Sequence, residues 1–234
     1  QNVLRDRLVL AFKNTASVKL GKSKGIIGKM TGYKIHNHSD TVTMHLIYKI
    51  RKILRTRSRY EVQNNSYARG IVSTLANDTV GTGPRLQMVL DNESLNKEIE
   101  HDFSVWAKRI RLSEKLRTMR MAQCQDGEAF IVMAQNPNLR SNVKLDLQLV
   151  EADRVTDDEL QKDDASIDGI TFDQFGNPKT YKVLKSHPGG LQSFSNDYLV
   201  IKAENMIHVF RQDRPEQHRG IPEITSALPL FAHL

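Results

Sequence analysis

Read by the spacing of its apolar positions, the chain places helices first and strands last. From Asp40, Leu46, Ile50, Ile53 and Leu54 share one helical face, with Lys49, Arg51, Lys52, Arg55, Arg57 and Arg59 around it. Tyr67, Ile71 and Leu75, backed by Ala68, Val72 and Ala76, predict a second helix. Asn64 or Asn65 stands where an N-cap is needed, and Gly81 and Gly83 stop the helix. Pro84 to Leu90 alternates like a strand. Leu95, Ile99, Phe103, Trp106 and Ile110 recur at helical steps, and Ser113 opens a further helix that runs to Gly127. The period then falls to two. Glu128 to Ala134 and Leu145 to Glu151 read as strands, and Gly169 to Leu184 reads as a hairpin around Phe175-Gly176-Asn177-Pro178. Two more short strands flank Glu204-Asn205, and a final helix begins at Pro222. Helices followed by an antiparallel meander of strands predict an α+β fold.

Charge divides the chain differently. Residues 1–60 hold 14 Lys and Arg against two acids, a net +12, and the remaining 174 hold 20 against 25, a net −5, which recovers the overall +7. The expected organisation is a basic arm and helix over 1–60 and an α+β body over 61–234. Such an arm meets an anionic partner, nucleic acid first among them, or is simply solvated, or packs on an acidic neighbouring subunit. No run of about 18 apolar residues predicts a membrane span. Cys124 is the lone cysteine, so no internal disulfide forms, and a buried thiol is the expected reading.

The chemical candidates are weak. Gly28-Lys29 lacks the rest of a phosphate loop, because Ser23 replaces the first glycine and Met30 the Ser/Thr. Val80-Gly81-Thr82-Gly83 has no lysine and follows a helix, so nucleotide binding is not expected there. His36-Asn37-His38, with Asp40 and His45, offers metal-ligand types without a strand frame or a complete ligand set. Asp146, Glu151, Asp153 and Asp157-Asp158-Glu159 are numerous enough for a metal nuclease cluster, but solvated loop acids describe them better. Aromatic residues do not interleave with the basic arm, so any nucleic-acid contact would be to phosphate charge. No cofactor, metal site or catalytic residue is expected.

The order of motifs says more. Leu54 to Met88, with basic Arg55 to Arg59, Asn64-Asn65, Tyr67-Ala68 and Val80-Gly81-Thr82-Gly83, resembles the N-terminal signature of lambda-type phage portal proteins. Later segments resemble the same family in the same order. These are Asp126-Gly127-Glu128-Ala129-Phe130, Leu147 to Val155, the Gly169 hairpin, Ile207-His208-Val209-Phe210, and Gln217, Arg219 and Gly220. The match is poor over residues 13–45.

That resemblance implies a structural subunit without catalysis and a wing-like fold, truncated before the channel-lining helices. It implies a homo-oligomeric ring, typically of about twelve subunits, at the capsid vertex of the virion. Double-stranded DNA passes through such a ring in packaging and ejection. Terminase, capsid or scaffold protein, and head-completion or tail proteins are the implied partners, and no membrane. On this basis Lys49, Arg51, Lys52, Arg55, Arg57 and Arg59 are candidate subunit or DNA-phosphate contacts. Asn64, Asn65, Gly81, Gly83, Gln217, Arg219 and Gly220 are structural motif positions. The rival readings are a duplex-binding module built on the basic arm and a metal-dependent nuclease built on the acidic cluster.

Overall fold

The computed structural model describes residues 39–157, 166–188, 197–215 and 217–231, with side chains of the first helix described from Lys49. The expectations for the lysine-rich arm, for His36 to His38 and for Asp158-Glu159 fall outside these residues. The chain divides between Leu46 and Ile47, and the account below concerns the larger unit. Residues 47–60, grouped with the arm by charge, belong to that larger unit.

Four helices lead: α1 (Ser39–Asn64), α2 (Ser66–Val80), α3 (Glu93–Arg109) and α4 (Leu112–Asp126). Strands follow as β1 (Glu128–Gln135), β2 (Leu145–Val150), β3 (Ser166–Ile167), β4 (Ile170–Phe172), β5 (Pro178–Leu184), β6 (Tyr198–Lys202) and β7 (Met206–Phe210). A 3-10 turn over Glu223–Ala227 leads into α5 (Leu228–Phe231). The α+β expectation holds, with every strand pair antiparallel.

The strands form two sheets rather than one meander. One has the order β2-β1-β7 and the other β3-β4-β5-β6. β6 and β7 flank Glu204-Asn205 as expected, but the 3-10 turn at Ala203–Asn205 carries the chain from one sheet to the other. The predicted strand at Pro84–Leu90 is in neither sheet. Its alternation is real, with Leu86 and Met88 turned inward, but side chains of α3 take its backbone groups. Glu100 accepts from the Met88 N–H at 2.8 Å, and Asn96 both accepts from and donates to Leu90. The predicted hairpin forms between β4 and β5, with Asp173 closing the turn against Asn177.

The hydrophobic core follows the pleat of β1. Phe130 faces the second sheet, with Val155, Ile170, Tyr181, Val183 and Met206 around it. Ile131 points the other way, onto Trp106, Ile110 and Leu112. Trp106 sits in this core as its spacing predicts, and its indole N–H donates to the Leu145 carbonyl at 2.7 Å. A third cluster joins Val62, Ala68, Val72 and Cys124 to Ile224, Leu228 and Phe231.

Two helices present the opposite face from the one their apolar residues suggest. In α2 the small residues Ala68, Val72 and Ala76 are fully buried, while Tyr67, Ile71 and Leu75 are exposed. In α1, Ile50 and Ile53 are exposed, and Arg51, Arg55, Ser58 and Val62 are buried at helical steps. Small side chains let α2 lie close to α4. A polar partner draws the arginines of α1 inward.

Asn65 caps α2, accepting from the N–H groups of Tyr67 and Ala68, and its amide donates to the Phe231 carbonyl at 3.2 Å. Asn64 only donates to Tyr60 within α1. Asn65→Ala is therefore expected to cost about 1–2 kcal/mol, and Asn64→Ala only a few tenths at an exposed site. A urea titration that gave the two variants equal midpoints would contradict this.

Candidate functional site

Glu128 is the first residue of β1 and is fully buried. A lone carboxylate there would be expelled or protonated. This one is saturated instead. Its Oε1 accepts from Arg51 and Arg55 at 2.7 Å each and from Arg219 at 2.8 Å. Its Oε2 accepts from Arg219 Nε at 2.7 Å, from the Gly220 N–H at 3.1 Å, and lies 3.1 Å from His208 Nε2. Burial pushes its pKa up, but the charges of Arg219 and Arg51 and the hydrogen bonds of His208 and Arg219 outweigh this. The carboxyl is held well below the usual range.

The node extends through further pairs. Arg55 also donates to Asp153 at 2.7 Å. Arg59 forms a two-pronged pair with Asp126 at 2.7 and 2.9 Å and reaches Asp153. Arg51 and Arg219 share Asp168. Asp168 and Gly169 form the two-residue turn between β3 and β4, both at positive φ, where Asp and Gly are favoured. Four arginines thus meet four carboxylates, those of Asp126, Glu128, Asp153 and Asp168. His208 stacks between Phe130 and Phe210, and its burial depresses its pKa despite the Glu128 contact. Burial thus favours the neutral imidazole, and the four guanidinium groups face four carboxylates.

The Gln217, Arg219 and Gly220 motif closes this node. Gln217 donates to the carbonyls of Arg211 and Arg219 and accepts from the Asp213 N–H. It thereby bends the chain so that Arg219 and Gly220 both reach Glu128. Arg219 also donates to the carbonyls of Ala152 and Val155 at 3.2 and 3.1 Å. Gly81 and Gly83 form the exit from α2. A Cβ at Gly83 would lie 2.1 Å from Ser113 Oγ, whose hydroxyl donates to the Thr82 carbonyl.

Of the six basic residues singled out in the sequence, Arg51, Arg55 and Arg59 are committed inside the node. Lys49, Lys52 and Arg57 remain on the surface. Sequence reasoning did not single out Glu128, Asp126, Asp168 or His208 as site residues. The usable signal was an acid opening an otherwise apolar strand.

Among the described acidic candidates, only Glu151 and Asp153 come together. Asp146 pairs with Lys115 at 2.7 Å. Asp157 accepts from Ser166. Glu151, Asp153 and His187 bring one ligand atom each within 4.8 Å of one another. Asp153 is already paired with the guanidinium groups of Arg55 and Arg59, which would repel a cation at that point. Cys124 is buried, as expected, and burial together with the Glu223 charge pushes its thiol up to about 11. A groove of about 750 Å³ lies between the end of α2 and α4, and the charged groups lining it, Arg120 and Glu223, pair with each other. Among the described residues, no helix is long and apolar enough to cross a membrane.

The node fastens helix to sheets and uses its charges on one another. Residues 32–234 match the model of the lambda family of phage portal proteins. The chain belongs to that family. It is also similar to a probable portal protein of Halomonas phage phiHAP-1, at 24% identity over 88% of this chain and 42% of the relative. The chain spans less than half the length of that curated relative.

Proposed function

We propose that the chain is the wing-like, N-terminal portion of a portal subunit, a structural part with no catalytic role of its own. The family match over residues 32–234 carries this reading. On it, the assembled protein is a ring of about twelve copies, closed by rotation, at one vertex of the phage capsid. Double-stranded DNA passes through the ring in packaging and ejection. Terminase, capsid or scaffold protein and head-completion or tail proteins dock on it in the virion, after assembly in the host cytoplasm. On this reading, channel-lining helices would lie outside the residues of this chain.

The balanced Glu128 node supports the structural role. It joins α1, both sheets and the 217–220 segment, and a cross-link of this kind suits a part that carries load between neighbours. The three surface cations Lys49, Lys52 and Arg57 are the remaining candidates for subunit or phosphate contact.

The test is negative-stain electron microscopy with a native mass, on this chain and on the full-length portal protein it is proposed to belong to. Rings with a central hole are the expected result. A folded monomer at every salt and concentration would overturn the reading. The second reading, a duplex-binding module, draws on those same surface cations. It predicts salt-steep duplex binding by the isolated chain, with a slope of about −0.9 per phosphate neutralised.

A further inference from the structure

Two exposed surfaces on the larger unit match one another in chemistry. The first is the outer face of α1. Ile50, Ile53, Arg57 and Tyr60 recur there at helical steps, on the side opposite Arg51, Arg55 and Ser58, with Lys52 beside them. Ile50, Ile53 and Tyr60 are 46, 51 and 63% exposed. The fully exposed charges on and beside this face, Lys49, Lys52 and Arg57, are all positive, and half-buried Glu61, one turn beyond Arg57, is its one acid among the described side chains. On α2, Tyr67 and Ile71 are exposed as well.

The second surface is the extended segment and helix start over residues 89–98. Val89, Leu90 and Leu95 are 89, 46 and 42% exposed. Asp91, Glu93 and Glu98 stand among them against a single base, Lys97, which spends its charge on Glu93 at 2.7 Å. The backbone of the segment is fixed by Glu100 and Asn96, so Val89 and Leu90 are presented outward from a held scaffold. Exposed apolar groups gathered in this way mark contact surfaces.

Like charge opposes pairing either surface with itself, and opposite charge favours pairing one with the other. Both lie on one chain, so the partner that satisfies them is a second copy. We propose that the basic, apolar outer face of α1 docks on the acidic, apolar segment 89–98 of a neighbouring copy. Two different patches make a heterologous contact, which propagates from copy to copy. Closure into a ring rests on the portal reading. The contact itself does not.

Charge reversal tests it with its own rescue. Lys52→Glu with Arg57→Glu makes both surfaces of the chain acidic. Asp91→Lys with Glu98→Lys makes both basic. All four positions are exposed, so both variants are expected to fold, and circular dichroism and the urea midpoint check that. In sedimentation velocity, each variant alone is expected to self-associate at least tenfold more weakly than the wild type. An equimolar mixture is expected to recover association, because each variant then offers the surface the other needs. A chain with all four changes is also expected to recover it.

If either variant associates as the wild type does, or if the mixture stays monomeric, the inference is wrong. Wild-type protein that remains monomeric also overturns it, whatever rings the longer protein forms. Rings that survive both reversals would overturn the contact while leaving the portal reading intact. Loss of duplex binding by Lys52→Glu with Arg57→Glu, with association unchanged, would assign the α1 face to DNA instead.

Discussion

Glu128→Ala is expected to be the most damaging single change in the molecule. It removes the shared counter-ion of Arg51, Arg55 and Arg219, all of which are buried. Breaking a buried ionic network by deleting one partner costs about 3–5 kcal/mol, because the remaining charges cannot reach water. In a domain of ordinary stability that is a large fraction of the total. The expected readout is a large drop in the urea midpoint, or loss of soluble folded protein. Glu128→Gln separates charge from shape. It keeps an acceptor oxygen for Gly220 but leaves the node with four arginines against three carboxylates. It is expected to fall between wild type and alanine, and a Gln variant as stable as wild type would show that the Glu128 charge contributes nothing.

The same node sets the acid limit of the fold. The folded Glu128 carboxyl titrates well below its unfolded value of about 4.3. As pH falls, the unfolded chain takes up the proton first. This contribution is therefore complete above about pH 4.3 and is lost below it. Asp153, held down by Arg55 and Arg59 against its own burial, acts in the same direction. His208 begins earlier. Its folded pKa is depressed by burial, so its contribution is complete above the unfolded value of about 6.5 and declines as pH falls through that value. Urea midpoints measured from pH 7 to pH 3 are expected to fall in two stages. The wild-type curve should be the steeper one below about pH 4.3, compared with that of Glu128→Gln.

Gly220→Ala is expected to do nearly as much harm by a steric route. A Cβ at this position would lie 1.9 Å from the Gly127 carbonyl oxygen, 2.5 Å from its carbon and 2.9 Å from the Glu128 Cβ. Backbone cannot yield as a flexible side chain does. The Gly220 N–H would also move away from Glu128. The cost is about 3 kcal/mol or more, at or above the upper end for overpacking, which would lower Tm by roughly 6–12 °C in a domain of this size. Gly70→Ala is the control. It lies in α2 with nothing within 4 Å of the new carbon, so it is expected to stabilise by about 1 kcal/mol. If the two changes moved Tm equally, the close approach of residues 127 and 220 would be wrong.

Local chemistry was legible in the sequence wherever neighbours in the chain decide it. A cap at Asn64 or Asn65, which the structure places at Asn65, the helix stops at Gly81 and Gly127, the period change after Gly127 and the β4–β5 hairpin follow from short-range backbone and side-chain demands. So does the core position of Trp106. The order of motifs also carried the family, because short signatures in a fixed order are a property of the string.

Which face of a helix turns inward was not legible in the same way. Apolar spacing in α1 favours burying Ile50 and Ile53, since hydrophobic transfer outweighs the burial of unpaired arginine. That comparison reverses only when partners arrive, and they come from far along the chain. Glu128 lies 77 residues from Arg51, Asp153 lies 98 from Arg55 and Asp168 lies 117 from Arg51. The sequence alone therefore determined most of the elements and the family, but not the fate of Pro84–Leu90 or the split into two sheets. The tertiary structure alone decided that the arginines of α1 go inside and its isoleucines outside. The physical reason is that a buried charge is tolerable only beside its counter-ion, and counter-ion geometry exists only once the sheets have formed.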